Sequence, residues 1–239
     1  MKKLLRWGKA LALLLLAAAI LAAGVIVYRG YRMYRDAITA VPLADRIAQV
    51  QAVPNYTTLD ELPEIYTDAV LSVEDRRFYL HPGVDPVAIC RAVWTDLQTR
   101  SLAEGGSTIT QQLAKNLYFT QEKRFERKVA EVFMAFALES ACTKDEILEL
   151  YINSIYYGSN YYTIYDAAMG YFGKTPTQLT HSECTLLAGL PNAPSAYSPD
   201  ASPALAAARQ SRVLQAMVEN HKLTQEQADA IRAQAVAAE

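Results

Sequence analysis

The 239-residue chain carries 23 Lys and Arg against 25 Asp and Glu, a formal net charge of −2, and 51% of its residues are hydrophobic. Neither a basic excess nor an acidic tail is present, so no nucleic-acid partner is expected from bulk charge. Its cysteines, Cys90, Cys142 and Cys184, are odd in number, lack metal-type spacing and sit in apolar helical contexts, which points to buried free thiols.

Lys2, Lys3, Arg6 and Lys9 precede ALALLLLAAAILAAGVIVY, Ala10 to Tyr28, 19 residues without a charge. At about 1.5 Å per residue this run spans roughly 28 Å, close to a bilayer core. A cleavable signal peptide is the competing reading, but the run is longer than a usual h-region. Tyr28, Tyr31 and Tyr34 among Arg29, Arg32 and Arg35 look like an interfacial belt, and the positive-inside rule narrowly favours a cytoplasmic N-terminus. The expected organisation is a cytoplasmic tip and transmembrane anchor over 1–35, an irregular linker over 36–59, a folded domain over 60–200, and a helical segment over 201–239 that packs on it.

Helix signals dominate the domain, and no clear hairpin signal is present. Asp85-Pro86 opens a helix to about Gln98, with a Pro in the first turn. Thr143-x-x-Glu146, Thr180-x-x-Glu183 and Thr224-x-x-Gln227 have capping-box spacing, and Ser202-Pro203 begins another helix. The longest helix is expected at about 125–142, where Val129, Val132, Phe133, Phe136 and Ala137 recur at helical spacing. A mainly α domain follows, which is a class and not a function.

Three stretches carry candidate chemistry. In SVEDRRFYLHPG, Glu74 is either a reacting carboxylate approached through Val70, Leu71 and Val73, which would partly desolvate it, or a surface salt-bridge partner. In EGGSTITQQLAKN, Thr108, Gln111, Gln112 and Lys115 form one polar helical stripe opposite Ile109, Leu113 and Leu117, behind glycines that leave the first N–H donors open to an anion. In KRFERKVAE, Arg124, Arg127, Lys128 and Glu131 share a helical face, as an intrahelical ion pair or as part of a phosphate site.

Taken in order, SVEDRRFYLHPG, GGSTITQQLAKN, RKVAE, KDEILELYINSIYYG and LLAGLPNAPSAYSP resemble the peptidoglycan glycosyltransferase (transglycosylase) family, glycosyltransferase family 51, over about 59–199. The resemblance implies a lysozyme-like two-lobed helical domain on the outer face of a bacterial plasma membrane. It implies polymerisation of lipid II onto a growing lipid-linked glycan, with release of undecaprenyl pyrophosphate. Glu74 would be the catalytic base and Glu131 a second essential acid, through metal, water or orientation of the donor phosphate. Lys115, Lys123, Arg127 and Lys128 would bind the pyrophosphate, where a divalent cation, Mg or Mn, is also expected. Asp75, Phe78, His81, Gly83, Gly106, Ser107, Thr108, Gln111, Gln112, Asn116 and Asn153 would complete the substrate site. Membrane lipid and a transpeptidase or cell-wall assembly complex are the implied partners; no S-x-x-K nucleophile motif is present.

Departures from the family pattern are Lys123 where Arg is common, Asn160 and Thr163 at two glycine positions, and Tyr165 at an acidic one. A positive φ at Thr163 would be strained. These departures favour, as a rival, a catalytically impaired homologue serving as a scaffold. A lytic hydrolase of lysozyme type is the other rival.

Overall fold

The computed structural model describes residues 2–99, 105–120 and 124–236; Lys123, expected at the pyrophosphate, lies outside them. The described residues contain helices and no strand, with a lone antiparallel bridge between Gly158 and Tyr161. The chain opens with α1 (Lys2–Ala40), α2 (Leu43–Gln51), α3 (Glu64–Glu74) and α4 (Pro86–Thr99). Then come α5 (Ile109–Tyr118), α6 (Phe125–Ala141), α7 (Lys144–Ile152) and α8 (Ile164–Phe172). It closes with α9 (His181–Gly189), the short α10 (Pro194–Tyr197), α11 (Pro203–Glu219) and α12 (Gln225–Val236).

Caps account for many of these boundaries. Thr143 and Thr180 accept the N–H of Glu146 and Glu183, whose carboxylates return to the threonine N–H groups at 2.7 and 2.8 Å. Thr224 and Gln227 exchange the same bonds before α12, and Ser202 caps α11. Thr163, feared to need a left-handed backbone, has φ −131° and caps α8 by accepting the N–H of Asp166. Asn160 does adopt φ +69°, which asparagine tolerates.

Three expectations need correcting. The segment 36–59 is largely helical: α1 runs on to Ala40 and α2 follows after two residues. At 17 residues α6 is matched by α11 and exceeded by the 39-residue α1. Of the cysteines, Cys184 is buried, its thiol pushed up to about 12 by desolvation, Cys142 is partly covered, and Cys90 is exposed on α4.

The span Trp7–Ala40 is long and apolar enough to cross a membrane. Its C-terminal part is not free of the domain, because α1 packs along α6. Gly30 makes that approach possible: a Cβ there would lie 2.5 Å from Val129 Cβ and 2.7 Å from the Glu126 carbonyl. One turn on, Tyr31 meets Phe133 edge-on at 5.2 Å and Tyr34 stacks on it at 5.9 Å.

The core gathers α3, α5, α7 and α9 around Tyr66, Leu113, Tyr151, Tyr157 and Leu187, all fully buried. Two of these tyrosines hydrogen-bond each other, Tyr66 Oη to Tyr157 Oη at 2.7 Å. On α3 the buried residues Tyr66 and Val70 fall four apart, and Glu74 is the next position on that face and the last residue of the helix. The register that fills the core therefore delivers one carboxylate to its rim.

Candidate active site

Glu74 opens into a groove of about 520 Å³ walled by the turn after α3, the start of α5 and the inner face of α11. Its carboxylate is held from two sides. Gln112 Nε2 donates to Oε2 at 2.8 Å, and Arg209 Nη2 donates to Oε1 at 3.2 Å. Gln112 is oriented in turn by the hydroxyl of Tyr151, which donates to its Oε1 at 3.3 Å. The Glu74 and Arg209 side chains are 8% and 10% exposed, so the surroundings are shielded but ionic, not the apolar wall expected from Val70, Leu71 and Val73.

Arg209 is the residue that sequence reasoning missed. It lies in the C-terminal segment expected to serve packing alone, yet its Nε donates to the Gly189 carbonyl at 3.0 Å while its Nη2 reaches Glu74. A buried arginine among the alanines of ALAAARQSRVL was the available signal, since burying a guanidinium requires an anionic or carbonyl partner. Ala216, Glu219 and Asn220 at the end of α11 also line the groove.

Several residues expected to touch substrate instead join the first two motifs. Asp75 Oδ2 accepts the N–H of Ile109, the first residue of α5, at 3.0 Å, placing a carboxylate where the helix dipole favours one. His81 Nε2 lies 3.0 Å from the Asp75 carboxylate, and His81 Nδ1 accepts the Gly83 N–H at 3.2 Å. Thr108 donates to the Gly83 carbonyl at 2.6 Å and forms a capping box with Gln111, whose side chain is turned back to the Thr108 N–H. Gly83, at φ +94°, faces the Ala135 backbone of α6.

His81, Gly83 and Gln111 are thus a latch that fixes α5 against the end of α3, and they do not line the groove. Phe78 is buried in the core with the Lys144 ammonium 4.4 Å from its ring centre. Asn153 clasps Thr57 through both the N–H and the carbonyl of that residue. Gly106 packs on Ile89 and Ala92 of α4, and Asn116 is half-buried outside the groove walls.

Asp75, Ser107, Thr108, Gln112 and Lys115 do line the groove. Lys115 has no hydrogen-bond partner among the described residues. Burial draws its ammonium below the ordinary lysine range; Glu131 opposes that most among its charged neighbours, Arg127 and Lys128 reinforce it, and Glu74 opposes again. One ammonium therefore senses both candidate acids and two cations of the third motif, Arg127 and Lys128.

Glu131 itself is 3% exposed and clamped: Arg127 Nη1 donates to Oε1 at 2.7 Å, Lys128 Nζ to Oε2 at 3.0 Å. Lys128, 45% exposed, continues to the hydroxyl of Ser107 at 2.6 Å and so ties the clamp to the groove wall. Glu131 does not face the groove; it holds two cations beside it.

This donor set does not suit Glu131 as a metal ligand. Each of its oxygens already accepts from a cation, and no group of three or more His, Cys, Asp or Glu side chains with metal-binding geometry occurs among the described residues. The arrangement is fitted to an anion: a lysine without a partner, backed by an arginine and a lysine fixed by a buried carboxylate, across from a carboxylate held by an amide and a guanidinium.

Comparison with known proteins agrees with that character. The family described as Transglycosylase matches residues 43–218. A Cupriavidus necator protein named "putative transglycosylase" is 41% identical over 232 residues, 96% of each chain. Penicillin-binding protein 1A of Escherichia coli is 47% identical over 179 residues, 75% of this chain and 21% of that one. The chain thus spans about a fifth of the penicillin-binding relative's length. A crystal structure of penicillin-binding protein 1A from Haemophilus influenzae aligns with TM-score 0.42 and 24% identity, covering 74% of this chain and 17% of that one.

Proposed function

Because this chain belongs to the transglycosylase family, we propose that it polymerises lipid II into glycan strands at the outer face of a bacterial plasma membrane, releasing undecaprenyl pyrophosphate. The observation that carries the reading is Lys115, a partly desolvated cation without a partner lying between Glu74 and the clamp of Arg127 and Lys128.

The reaction joins the 4-hydroxyl of the acceptor's GlcNAc to C1 of the donor's lipid-linked MurNAc. The new O4–C1 bond forms as the C1–phosphate oxygen bond breaks, and the hydroxyl proton goes to a base. A sugar hydroxyl is a weak nucleophile at neutral pH, so a carboxylate fixed at the hydroxyl contributes about 10²–10⁴ in rate. Glu74 fills that role, aimed by Arg209 and Gln112. The departing diphosphate gathers negative charge, and cations fixed in advance stabilise it without reorganisation. Lys115, Arg127 and Lys128 supply them, with Glu131 as the positioning residue that holds the last two.

The long apolar α1 fits a retained membrane anchor, since one unbroken helix runs from the apolar span into Tyr31 and Tyr34, which are seated on α6 of the domain. A domain so tethered meets a polyprenyl-linked substrate at the lipid surface.

The test is lipid II turnover in detergent by the wild type and Glu74→Gln, with and without chelator. Polymer is expected from the wild type, with loss of about a hundredfold or more in the variant, and a melting curve reports separately the cost of leaving Arg209 without its carboxylate. Equal rates would remove Glu74 from the base role, and shortening of preformed glycan without growth would establish the lytic alternative. Because Glu131 has no free oxygen for a metal, chelation is expected to slow the wild type less than removal of Lys115 does.

A further inference from the structure

The groove does not end at Glu74. A second cavity of about 510 Å³ runs along the outer side of α3 and shares Ser72, Arg76 and Asn220 with the groove as walls. It shares Glu64, Asp68 and Lys222 with a third, of about 610 Å³, beside α12. Glu64, Asp68, Leu71 and Ser72 recur at helical spacing on the side of α3 opposite the core-facing Tyr66 and Val70, so this side of the helix is a shared wall of the adjoining cavities, a trench in compartments.

The trench is charged where the groove adjoins it and again along its length. Arg76 stands at the junction, exposed, with no ion pair or hydrogen bond among the described residues. Farther along, Lys222 pairs with Asp68 at 2.6 Å while keeping 45% of its side chain in solvent. Asn220 Nδ2 donates to the Ser72 carbonyl at 3.1 Å and fixes the rim between them.

From Glu74 back to Glu64 the helix rises roughly 15 Å. A five-residue peptide drawn out straight spans about 17 Å. The walls bring charges of both signs, which a neutral glycan does not call for and a peptide with free carboxylates does. In lipid II such a peptide branches from the MurNAc, one sugar beyond the GlcNAc hydroxyl that Glu74 would deprotonate. None of the trench's lining residues belongs to α6, which packs on α1 and carries Arg127 and Lys128.

Resting on the lipid II reading, we propose that this trench receives the peptide branch of the acceptor, with Arg76 and Lys222 facing its carboxylates. The experiment compares lipid II bearing the full pentapeptide with lipid II trimmed to its first alanine, for the wild type, Arg76→Ala and Lys222→Glu. The wild type is expected to show the lower KM for the full peptide. Each variant is expected to raise KM for that substrate roughly tenfold, the size of one charge-assisted hydrogen bond, and Lys222→Glu, which lies outside the groove, to leave KM for the trimmed substrate unchanged. Arg76→Ala breaks no contact of the folded protein, and its melting temperature serves as the check on Lys222→Glu. Equal wild-type KM values for the two substrates, or variants that lose equally on both, would overturn the proposal and, in the second case, assign the trench to glycan. A wild type that polymerises neither substrate would instead remove the lipid II reading beneath it.

Discussion

Truncating Arg209 tests whether the base is held by the C-terminal helix. Arg209→Ala leaves the Glu74 carboxylate with the Gln112 amide as its remaining protein partner and strips the buried Gly189 carbonyl of its donor. Removing one partner of a buried ion pair costs about 3–5 kcal/mol. The pair here lines an open groove, so water recovers part of the loss and the lower figure of about 3 kcal/mol applies. For a chain of this length that is a fall in Tm of roughly 6–12 °C. Turnover should drop about a hundredfold as the carboxylate loses its aim. Arg209→Lys keeps the charge but cannot serve Glu74 and Gly189 together, and should fall between. Lipid II polymerisation by the three proteins, with melting curves, gives both readouts. A variant with wild-type Tm and rate would refute the argument that the Arg209–Glu74 contact matters.

Lys115→Met should lower kcat/KM about a hundredfold while leaving Tm unchanged or higher, since it removes a partly desolvated cation that has no partner to lose; polymerisation and melting curves separate the two effects. Gly30→Leu should lower stability by about 1–3 kcal/mol, because its Cβ alone would overlap Val129, and melting in detergent measures it. Asp85 is pushed up by burial, but the N–H groups of Ala88 and Val87, with Arg77 and His81, more than offset this and hold it below the ordinary carboxylate range. Its contribution is therefore fully present above about pH 4 and lost as pH falls through the lower folded-state value. The stability gap between wild type and Asp85→Asn, followed by denaturant titration, should be constant from pH 7 to 5 and close below pH 4.

The helical class was legible because caps and periodicity are local: each of Thr143, Thr180, Ser202 and Thr224 makes the bond its spacing implies. Glu74 and Lys115 were legible through motif resemblance, and the structure brings them to one groove. What sequence could not resolve was which polar residues of a motif face outward. His81, Gln111 and Asn153 have the polarity of binding residues, but His81 is held between the Asp75 carboxylate and the Gly83 N–H, Gln111 accepts the Thr108 N–H, and Asn153 clasps the Thr57 backbone, where an unpaired group would be costly. Thr163 misled for the opposite reason, since a family glycine suggested a left-handed backbone where this chain uses an extended cap. Arg209 was hidden because its partner lies 135 residues away, and no local pattern reports a contact of that range.

The charge distribution explains why bulk composition was silent about function. The chain as a whole is at −2. Within the site, the carboxylates of Glu74 and Glu131 meet four cations, Lys115, Arg127, Lys128 and Arg209, an excess of two positive charges. The excess is not spread evenly. Arg209 neutralises Glu74 on one side, while Arg127 and Lys128 outnumber Glu131 on the other and Lys115 adds to them. On the proposed reading, a proton leaves the acceptor where charge is balanced, and a diphosphate departs where it is positive. The same polarity disfavours the reverse assignment of roles: Glu131 is closed in by two cations and lines no wall of the groove, whereas Glu74 stands at its opening. On the proposed reading, the direction of the reaction follows from which carboxylate pairs with one cation and which with two.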